Sequence, residues 1–215
     1  DGVYQVIHDM ARRDDEALGK KTPKQNRRRT FLLGLSFGGL VALLYPIYYP
    51  GSTRTDTTHP DEIPIDGVIG VGPIIHFNPK DVQVSPIIRL IMVVIKAMYG
   101  LRLELYVPHK KAVDKDPKVY KQLIDQDMRS HRGAFRVGHL YCVRNGIADV
   151  QEMADKFTVP VYIQHGLQDR VVSALSSLQW LQKTMSDDIQ MTVYPVCQHV
   201  TYRKAKSEEE DLAGR

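Results

Sequence analysis

Ser36 lies two residues after Gly34 and two residues before Gly38. This spacing makes Ser36 the residue of the 215-residue chain that is best suited to do chemistry. The apolar residues 30–35 predict a strand that ends at the serine, and the apolar residues after it predict a helix. The first N–H groups and positive dipole end of that helix favour an oxyanion, with the Phe37 N–H as one donor. We expect the turn to leave no room for a Cβ at either glycine. The pattern predicts a nucleophilic serine, and the alternative is a glycine-rich turn with an idle hydroxyl.

A serine hydroxyl needs a base to accept its proton and a carboxylate to orient that base. The apolar residues 160–164 predict a strand that ends shortly before Asp169, and residues 189–194 predict a last strand that ends shortly before His199. Ser36, Asp169 and His199 each follow a predicted strand, so we expect the three side chains to converge. The other histidines fit this role less well. His165 precedes the aspartate at a strand end, where we expect it to pack or to hydrogen-bond locally.

The elements that must position these side chains alternate along the chain. Helical patterns cover residues 2–14 and 173–185, and a further buried strand is predicted at 67–72. The helix after the serine is expected to end near residues 45–46, and residues 50–64 are predicted to form a surface loop. Short apolar strands that alternate with helices are typical of a parallel α/β sheet.

Residues 73–157 interrupt this alternation, because they contain no clear strand and are mainly helical in pattern. A nearly all-apolar stretch over 85–99 would form a helix of about 22 Å, which is too short to span a bilayer core of about 30 Å. One interpretation is a buried core helix. The other is a cap with one apolar face over a pocket and another face on a membrane. The membrane-facing residues of that cap would be Arg89, Ile91, Ile95 and Lys96.

The composition is that of a globular protein. The net charge of +4 reflects a basic N-terminal segment without interleaved aromatic residues, so no nucleic-acid partner is predicted. Cys142 and Cys197 lie far apart without metal-ligand spacing, which predicts no disulfide framework, no metal site and a reducing compartment. We expect Cys142 to be a buried cap residue and Cys197 to lie near the histidine base. No signal peptide is recognised in the given residues, and because they start with Asp1 rather than Met, this expectation does not extend to a segment before Asp1.

Three stretches resemble the monoglyceride lipase branch of the α/β-hydrolases, a group also labelled serine aminopeptidase S33 or lysophospholipase-like. They are residues 31–39, 158–169 and 193–199. The resemblance implies an α/β fold, the α/β-hydrolase fold, with a mostly parallel, partial sheet and an inserted helical cap. It divides the chain into a first core part with the nucleophile elbow at 1–72, a helical cap or lid at 73–157, and a second core part with the acid and the histidine at 158–215.

The same resemblance implies a role for each site residue and an activity. Ser36 would be the nucleophile, His199 the base and Asp169 the orienting acid, in a serine hydrolase that cleaves lipid carboxylic esters through an acyl-enzyme. The substrate would be a monoacylglycerol or a lysophospholipid, no cofactor would be needed, and the protein would be cytoplasmic and peripherally membrane-associated through its cap. Two alternatives stay open: an inactive truncated remnant that acts as a binding protein, and a peptidase or acyltransferase on the same fold.

The chain departs from the family pattern at its beginning. Nothing before residue 30 is predicted as a strand or as the His-Gly loop that supplies the family's second oxyanion donor. Leu35 stands where the family commonly has histidine, and residues 54–63 look like an insertion. We therefore expect the family fold without its N-terminal portion, with an exposed apolar edge at the strand before Ser36.

Overall fold

The computed structural model describes residues 2–76, 93–94, 106–107, 128, 135–199 and 201. The helices are α1 (Gly2–Leu18), α2 (Phe37–Tyr48), α3 (Val137–Glu152) and α4 (Ala174–Leu181). The strands are β1 (Phe31–Leu35), β2 (Gly67–Val71), β3 (Tyr106–Val107), β4 (Phe135–Arg136), β5 (Val161–Gly166) and β6 (Ile189–Tyr194).

Four strands form one parallel sheet in the order β1-β2-β5-β6. The register pairs Leu35 with Val71 and Gly166 with Tyr194, so the carboxyl ends of the strands lie along one edge. Parallel neighbours need a crossover, and α2 and α4 lie in the crossovers from β1 to β2 and from β5 to β6. The predicted fold class, an α/β protein with a mostly parallel sheet, is confirmed. Most of the predicted cap at 73–157 lies outside the described residues.

The helices are packed onto the sheet and onto one another by buried apolar side chains. α2 packs against β1 and β2, α3 packs along α2, and α4 packs against β5 and β6. Gly146 of α3 allows the close approach to α2, because a Cβ there would lie 3.2 Å from Leu44 Cδ1 and 3.3 Å from Leu40 Cδ2. Trp180 of α4 donates its Nε1–H to Val150 O of α3 at 2.7 Å. These contacts fix the elements whose ends carry the candidate site.

α2 continues past Pro46 to Tyr48, whereas the sequence predicts an end near residues 45–46. Proline removes one backbone donor and crowds the carbonyl four residues earlier, but here it lies in the last turn, where little helix remains to be disrupted. Tyr49 N–H still donates to Tyr45 O at 2.9 Å. Two further helices differ in length from the prediction, since α1 is longer than residues 2–14 and α4 is shorter than residues 173–185.

β3 and β4 form a small antiparallel ladder, in which Tyr106 lies opposite Arg136. The expectation that residues 73–157 contain no strand is therefore wrong. Two residues per strand are too few for an alternating pattern to be recognised in the sequence. α3 begins immediately after β4, within the predicted helical stretch.

The loop between α2 and β2 is anchored by a buried lysine. Lys24 is only 4% exposed, and its Nζ donates to Gly51 O at 2.6 Å, Asp56 O at 2.9 Å and His59 O at 3.1 Å. Asp56 also places a carboxylate oxygen 3.3 Å from the ammonium group. Because three backbone carbonyls and one carboxylate surround the charge, the loop is tied to the segment before β1.

β1 lies at an edge of the described sheet and exposes apolar side chains. Phe31 and Leu33 are 56% and 62% exposed. This agrees with the apolar edge predicted for the strand before Ser36.

The four cap residues proposed to face a membrane, Arg89, Ile91, Ile95 and Lys96, lie outside the described residues. In the described ranges, we find no helix with the length and apolar character that crossing a bilayer requires. The expectation for Cys142 is wrong, because its side chain is exposed on α3, while Cys197 is buried. A single cysteine on an amphipathic helix does not reveal from sequence which face it occupies.

Candidate active site

Ser36 occupies a strained turn between β1 and α2, with φ 51° and ψ −113°. Among the described residues it is the only non-glycine residue with a positive φ. Such a conformation costs about 1–3 kcal/mol and persists only where its surroundings hold it. Here Ser36 N–H donates to Val71 O at 2.9 Å, and Ser36 O accepts from Leu40 N at 3.2 Å and from Ile74 N at 3.1 Å. The turn thereby fixes Ser36 at the carboxyl edge of the sheet.

Only one of the two glycines flanking Ser36 is required by close packing. A Cβ on Gly34 would lie 2.2 Å from Gly38 O and 2.6 Å from Gly39 N. The expectation that Gly38 also lacks room is wrong, because a Cβ there would meet no atom within 4 Å. The crowding falls instead on Gly39, where a Cβ would lie 2.7 Å from Pro73 Cβ. Gly34 of β1 faces the backbone of the first turn of α2, so a side chain at Gly34 would clash with that backbone. A side chain at Gly38 would point into open space.

The structure brings Ser36, His199 and Asp169 together in one hydrogen-bonded series. His199 Nε2 lies 2.8 Å from Ser36 Oγ, and His199 Nδ1 lies 2.7 Å from Asp169 Oδ2. The carboxylate can only accept, so it favours the tautomer with the proton on Nδ1 and leaves the Nε2 lone pair to accept the serine proton. Asp169 and His199 are buried, so the contact between them is shielded from water.

Asp169 is held by its backbone neighbours as well as by histidine. Its Oδ1 accepts from Val171 N at 2.8 Å and from Val172 N at 3.0 Å. Burial works to raise the pKa of the Asp169 carboxyl. The contact with His165 and the hydrogen bonds from His199 and from the Val172 N–H outweigh it, so the pKa is well below its ordinary value. The group is therefore ionised at neutral pH and able to stabilise a cationic His199.

Two glycines that the sequence analysis did not single out allow the loops to meet. A Cβ on Gly166 would lie 2.3 Å from Gln198 O and 2.4 Å from Cys197 O, so the loop before His199 packs directly on the end of β5. Gly72 has φ +51°, and a Cβ there would lie 3.4 Å from His199 Nδ1. Each glycine stands at or just after the end of a strand. This position is the one feature of the sequence that could have indicated a close approach of another loop.

His165 lies on β5 and is fully buried. Its Nε2 is 3.3 Å from Asp169 Oδ2, and its Nδ1 is 3.1 Å from Ser177 Oγ. The sequence predicts local packing or hydrogen bonding for His165, and nothing in it indicates that the ring lies against the carboxylate of the site.

The surroundings of Ser36 indicate what the arrangement can do. The Phe37 N–H belongs to the first turn of α2, where an N–H has no acceptor within the helix and can face a developing oxyanion. The Phe37 ring lies 5.4 Å, centroid to centroid, from the ring of His139. A half-open groove of about 480 Å³, lined by α1 and the residues before β1, lies at the opposite end of β1 from this site. Within the described ranges, no group of His, Cys, Asp and Glu has the arrangement of a metal site.

Two curated proteins of known activity are similar to the chain. A caffeoylshikimate esterase from Arabidopsis thaliana is 29% identical over 173 residues, which cover 79% of this chain and 47% of that protein. A monoacylglycerol lipase from Mycolicibacterium smegmatis is 25% identical over 177 residues, which cover 80% of this chain and 56% of that protein. The chain therefore spans about half the length of the curated relatives it matches.

Two solved structures share the fold. A monoacylglycerol lipase from Paleococcus ferrophilus matches with a TM-score of 0.66 at 17% identity, over 98% of this chain and 72% of that one. A soluble variant of monoglyceride lipase from Saccharomyces cerevisiae, solved with a substrate analogue, matches with a TM-score of 0.67 at 19% identity, over 99% of this chain and 66% of that one. Both are lipases by name, and at these identities the likeness shows the fold alone.

The sequence profile of the family described as serine aminopeptidase, S33 matches residues 2–204. The match covers nearly the whole chain and confirms the resemblance carried by the stretches around the serine, the aspartate and the histidine. The chain belongs to the serine aminopeptidase S33 family and has the α/β-hydrolase fold of the monoacylglycerol lipases.

Proposed function

We propose that the chain is the nucleophile-bearing part of a serine hydrolase that cleaves the carboxylic esters of single-chain lipids. The hydrogen-bonded series from Ser36 Oγ through His199 to Asp169, built on a strained turn, carries this proposal. The backbone strain at Ser36 is an independent argument, since such conformations are kept at functional sites and give an idle serine no advantage.

The proposed reaction proceeds through an acyl-enzyme. Ser36 Oγ attacks the acyl carbon while His199 Nε2 accepts the hydroxyl proton, and the carbonyl oxygen becomes an oxyanion that faces the Phe37 N–H. When the tetrahedral intermediate collapses, the carbon–oxygen ester bond breaks and the leaving alcohol takes the proton from His199. Water then attacks the acyl-enzyme while His199 accepts its proton. When this second intermediate collapses, the bond between Ser36 Oγ and the acyl carbon breaks, Ser36 Oγ takes the proton from His199, and the fatty acid leaves.

The electrostatics of Asp169 support this role for His199. Because the pKa of the Asp169 carboxyl is lowered, the group stays anionic while the imidazole becomes cationic in the transition state. Val171 and Val172 hold the second carboxylate oxygen through their N–H groups, so the anion cannot rotate away from His199. The imidazolium is thereby stabilised in the orientation that the proton transfer needs.

The substrate class is proposed from the relatives. The named lipases among them favour a monoacylglycerol, and a lysophospholipid presents the same single acyl ester to the serine. The relative with the higher sequence identity is an esterase of caffeoylshikimate, which makes an aromatic acyl ester the second candidate substrate. Peptidase chemistry would use the same series of side chains with an amine as the leaving group. Acyltransferase chemistry would use it with an acceptor other than water for the acyl group.

We also propose a peripheral membrane contact through the cap, in a cytoplasmic protein. Val93 and Val94 are the described residues of the apolar 85–99 stretch, and they are helical with 65% and 50% of their surface exposed. Apolar side chains on the outside of a helix favour an interfacial position. Substitution of Val93 and Val94 by serine is expected to reduce liposome flotation without changing the melting temperature. Unchanged flotation would contradict this contact.

The hydrolysis test uses the 215-residue chain with a long-chain monoacylglycerol, lysophosphatidylcholine and a caffeoyl ester. Ser36→Ala is expected to abolish release of the acid product, and Ser176→Ala, which changes a partly exposed serine outside the site, is expected to retain it. Hydrolysis that persists in Ser36→Ala would contradict the proposal. A folded chain that binds these esters without turnover would favour the non-catalytic alternative.

A further inference from the structure

Behind the triad, His165 approaches the same carboxylate oxygen as His199. Its Nε2 lies 3.3 Å from Asp169 Oδ2, and His199 Nδ1 lies 2.7 Å from that oxygen. The His165 contact is longer than the His199 bond and falls outside hydrogen-bond geometry, and among the described residues Nε2 has no hydrogen-bond partner. The imidazole is fully buried, so water cannot satisfy this nitrogen instead.

Asp169 decides which nitrogen of His165 carries a proton, because a carboxylate only accepts whereas the Ser177 hydroxyl can donate or accept. The Ser177 Oγ is buried 3.1 Å from His165 Nδ1, and a hydroxyl can donate to that nitrogen. With the proton on Nε2, the N–H faces the Asp169 anion and both contacts are attractive. With the proton on Nδ1, a lone pair would face the carboxylate. Nε2 is therefore the nitrogen of His165 that carries a proton.

We propose that His165 is a positioning residue of the triad, held by Ser177 and aimed at Asp169 Oδ2. The inference rests on the proposed function, because it assigns a role within the same catalytic series. The full series is Ser177, His165, Asp169, His199 and Ser36.

The placement of His165 explains what this contact adds. Asp169 follows β5 in a turn, whereas His165 lies within β5 and is paired in register with Val193 of β6. Val171 and Val172 hold Oδ1 through their N–H groups, whereas His165 approaches the other carboxylate oxygen, Oδ2, from within the strand. His165 thus ties the carboxylate to the sheet and fixes the direction from which it faces His199.

The first test reads the tautomer and does not depend on turnover. Long-range ¹H–¹⁵N spectra of the chain labelled at histidine, assigned with His165→Gln, are expected to show a proton on His165 Nε2. Asp169→Asn is expected to shift the His165 Nε2–H resonance. An Nδ1–H tautomer, or a resonance that does not respond to Asp169→Asn, would overturn the proposal.

The second test separates positioning from stability. His165→Leu removes both nitrogens at similar volume, and His165→Gln keeps an N–H close to the Nε2 position. We expect kcat to fall roughly tenfold in His165→Leu with KM nearly unchanged, and to recover in His165→Gln. Residues that orient a group of the site without touching the substrate typically have effects of this size. Ile163→Val, from the same face of β5 and equally buried, is the control that lowers the melting temperature without lowering kcat.

The remaining outcomes distinguish failure of the positioning role from failure of the proposed function. A kcat in His165→Leu equal to that of Ile163→Val would overturn the positioning role. If His165→Leu does not fold, Ser177→Ala removes the hydroxyl that holds the His165 ring, and a kcat equal to that of wild type in this variant counts against the series. If wild-type protein shows no Ser36-dependent hydrolysis, the proposed function has failed, and the tautomer measurement alone decides the state of His165.

Discussion

Alanine at Gly34 and alanine at Gly38 are expected to have opposite effects, although the two glycines hold symmetric places around Ser36. A Cβ at Gly34 would lie 2.2 Å from Gly38 O, and side-chain carbons rarely approach within 3.0 Å, so β1 and the first turn of α2 must separate by about 0.8 Å. Overpacking of this kind costs about 1–3 kcal/mol. In a chain of this size that corresponds to a loss of about 2–12 °C in melting temperature.

The catalytic effect of Gly34→Ala follows from the same displacement. Ser36 lies between the two backbones that must separate, and its Oγ is 2.8 Å from His199 Nε2. A misplacement of about 1 Å in a reacting group costs about 10²-fold in rate. We therefore expect the rate of ester hydrolysis to fall by about that factor.

Gly38→Ala supplies the matched control. Its Cβ would enter open space within a helix, where alanine is favoured over glycine by about 0.5–1 kcal/mol. The melting temperature is expected to rise by about 1–4 °C with activity retained. Thermal melts followed by circular dichroism and initial rates on a chromogenic short-chain ester measure both effects. Equal losses in the two variants would refute the reasoning about the crowded side of the turn.

Three further predictions concern the rest of the molecule. Lys24→Met is expected to lower the free energy of unfolding in urea by about 3–5 kcal/mol, because it removes a buried charge with four acceptors. Lys21→Met, at an exposed ion pair, is the control and should lower it by less than about 1 kcal/mol. The lowered pKa of Asp169 adds stability that is present above the ordinary carboxyl value of about 4 and is lost as pH falls below it. The stability difference between wild type and Asp169→Asn should therefore shrink from pH 7 to pH 3, and a constant difference would contradict it. A maleimide should modify the exposed Cys142 before the buried Cys197, and fast labelling that survives Cys142→Ala would show the reverse.

Outside residues 73–157, the sequence was sufficient to predict the order of strands and helices along the chain and the convergence of the Ser36, Asp169 and His199 side chains. Each of Ser36, Asp169 and His199 follows an apolar strand, and parallel strands bring their carboxyl ends to one edge. The apolar strand pattern and the order of the three residues along the chain were therefore enough to predict that they meet.

Close contacts between distant segments were not predictable in the same way. The contact of Gly166 with the backbone of Gln198, and the sharing of Asp169 Oδ2 by His165, depend on how two loops pack after β5 and β6 have paired. The open side of Gly38 likewise depends on the angle between β1 and α2, which a motif does not encode. The prediction of a helix end near residues 45–46 is wrong because Pro46 lies in the last turn, where the loss of one backbone donor disrupts little helix.

Covalent labelling of the serine tests the central claim most directly. The 215-residue chain is incubated with a fluorophosphonate, which reacts with an activated serine hydroxyl, and the adduct is located by peptide mass mapping. The hydrogen bond of 2.8 Å from Ser36 Oγ to His199 Nε2 predicts a single stoichiometric adduct on Ser36 that is lost in His199→Ala. No adduct on Ser36 in folded wild-type protein, or an adduct that forms equally in His199→Ala, would contradict the account.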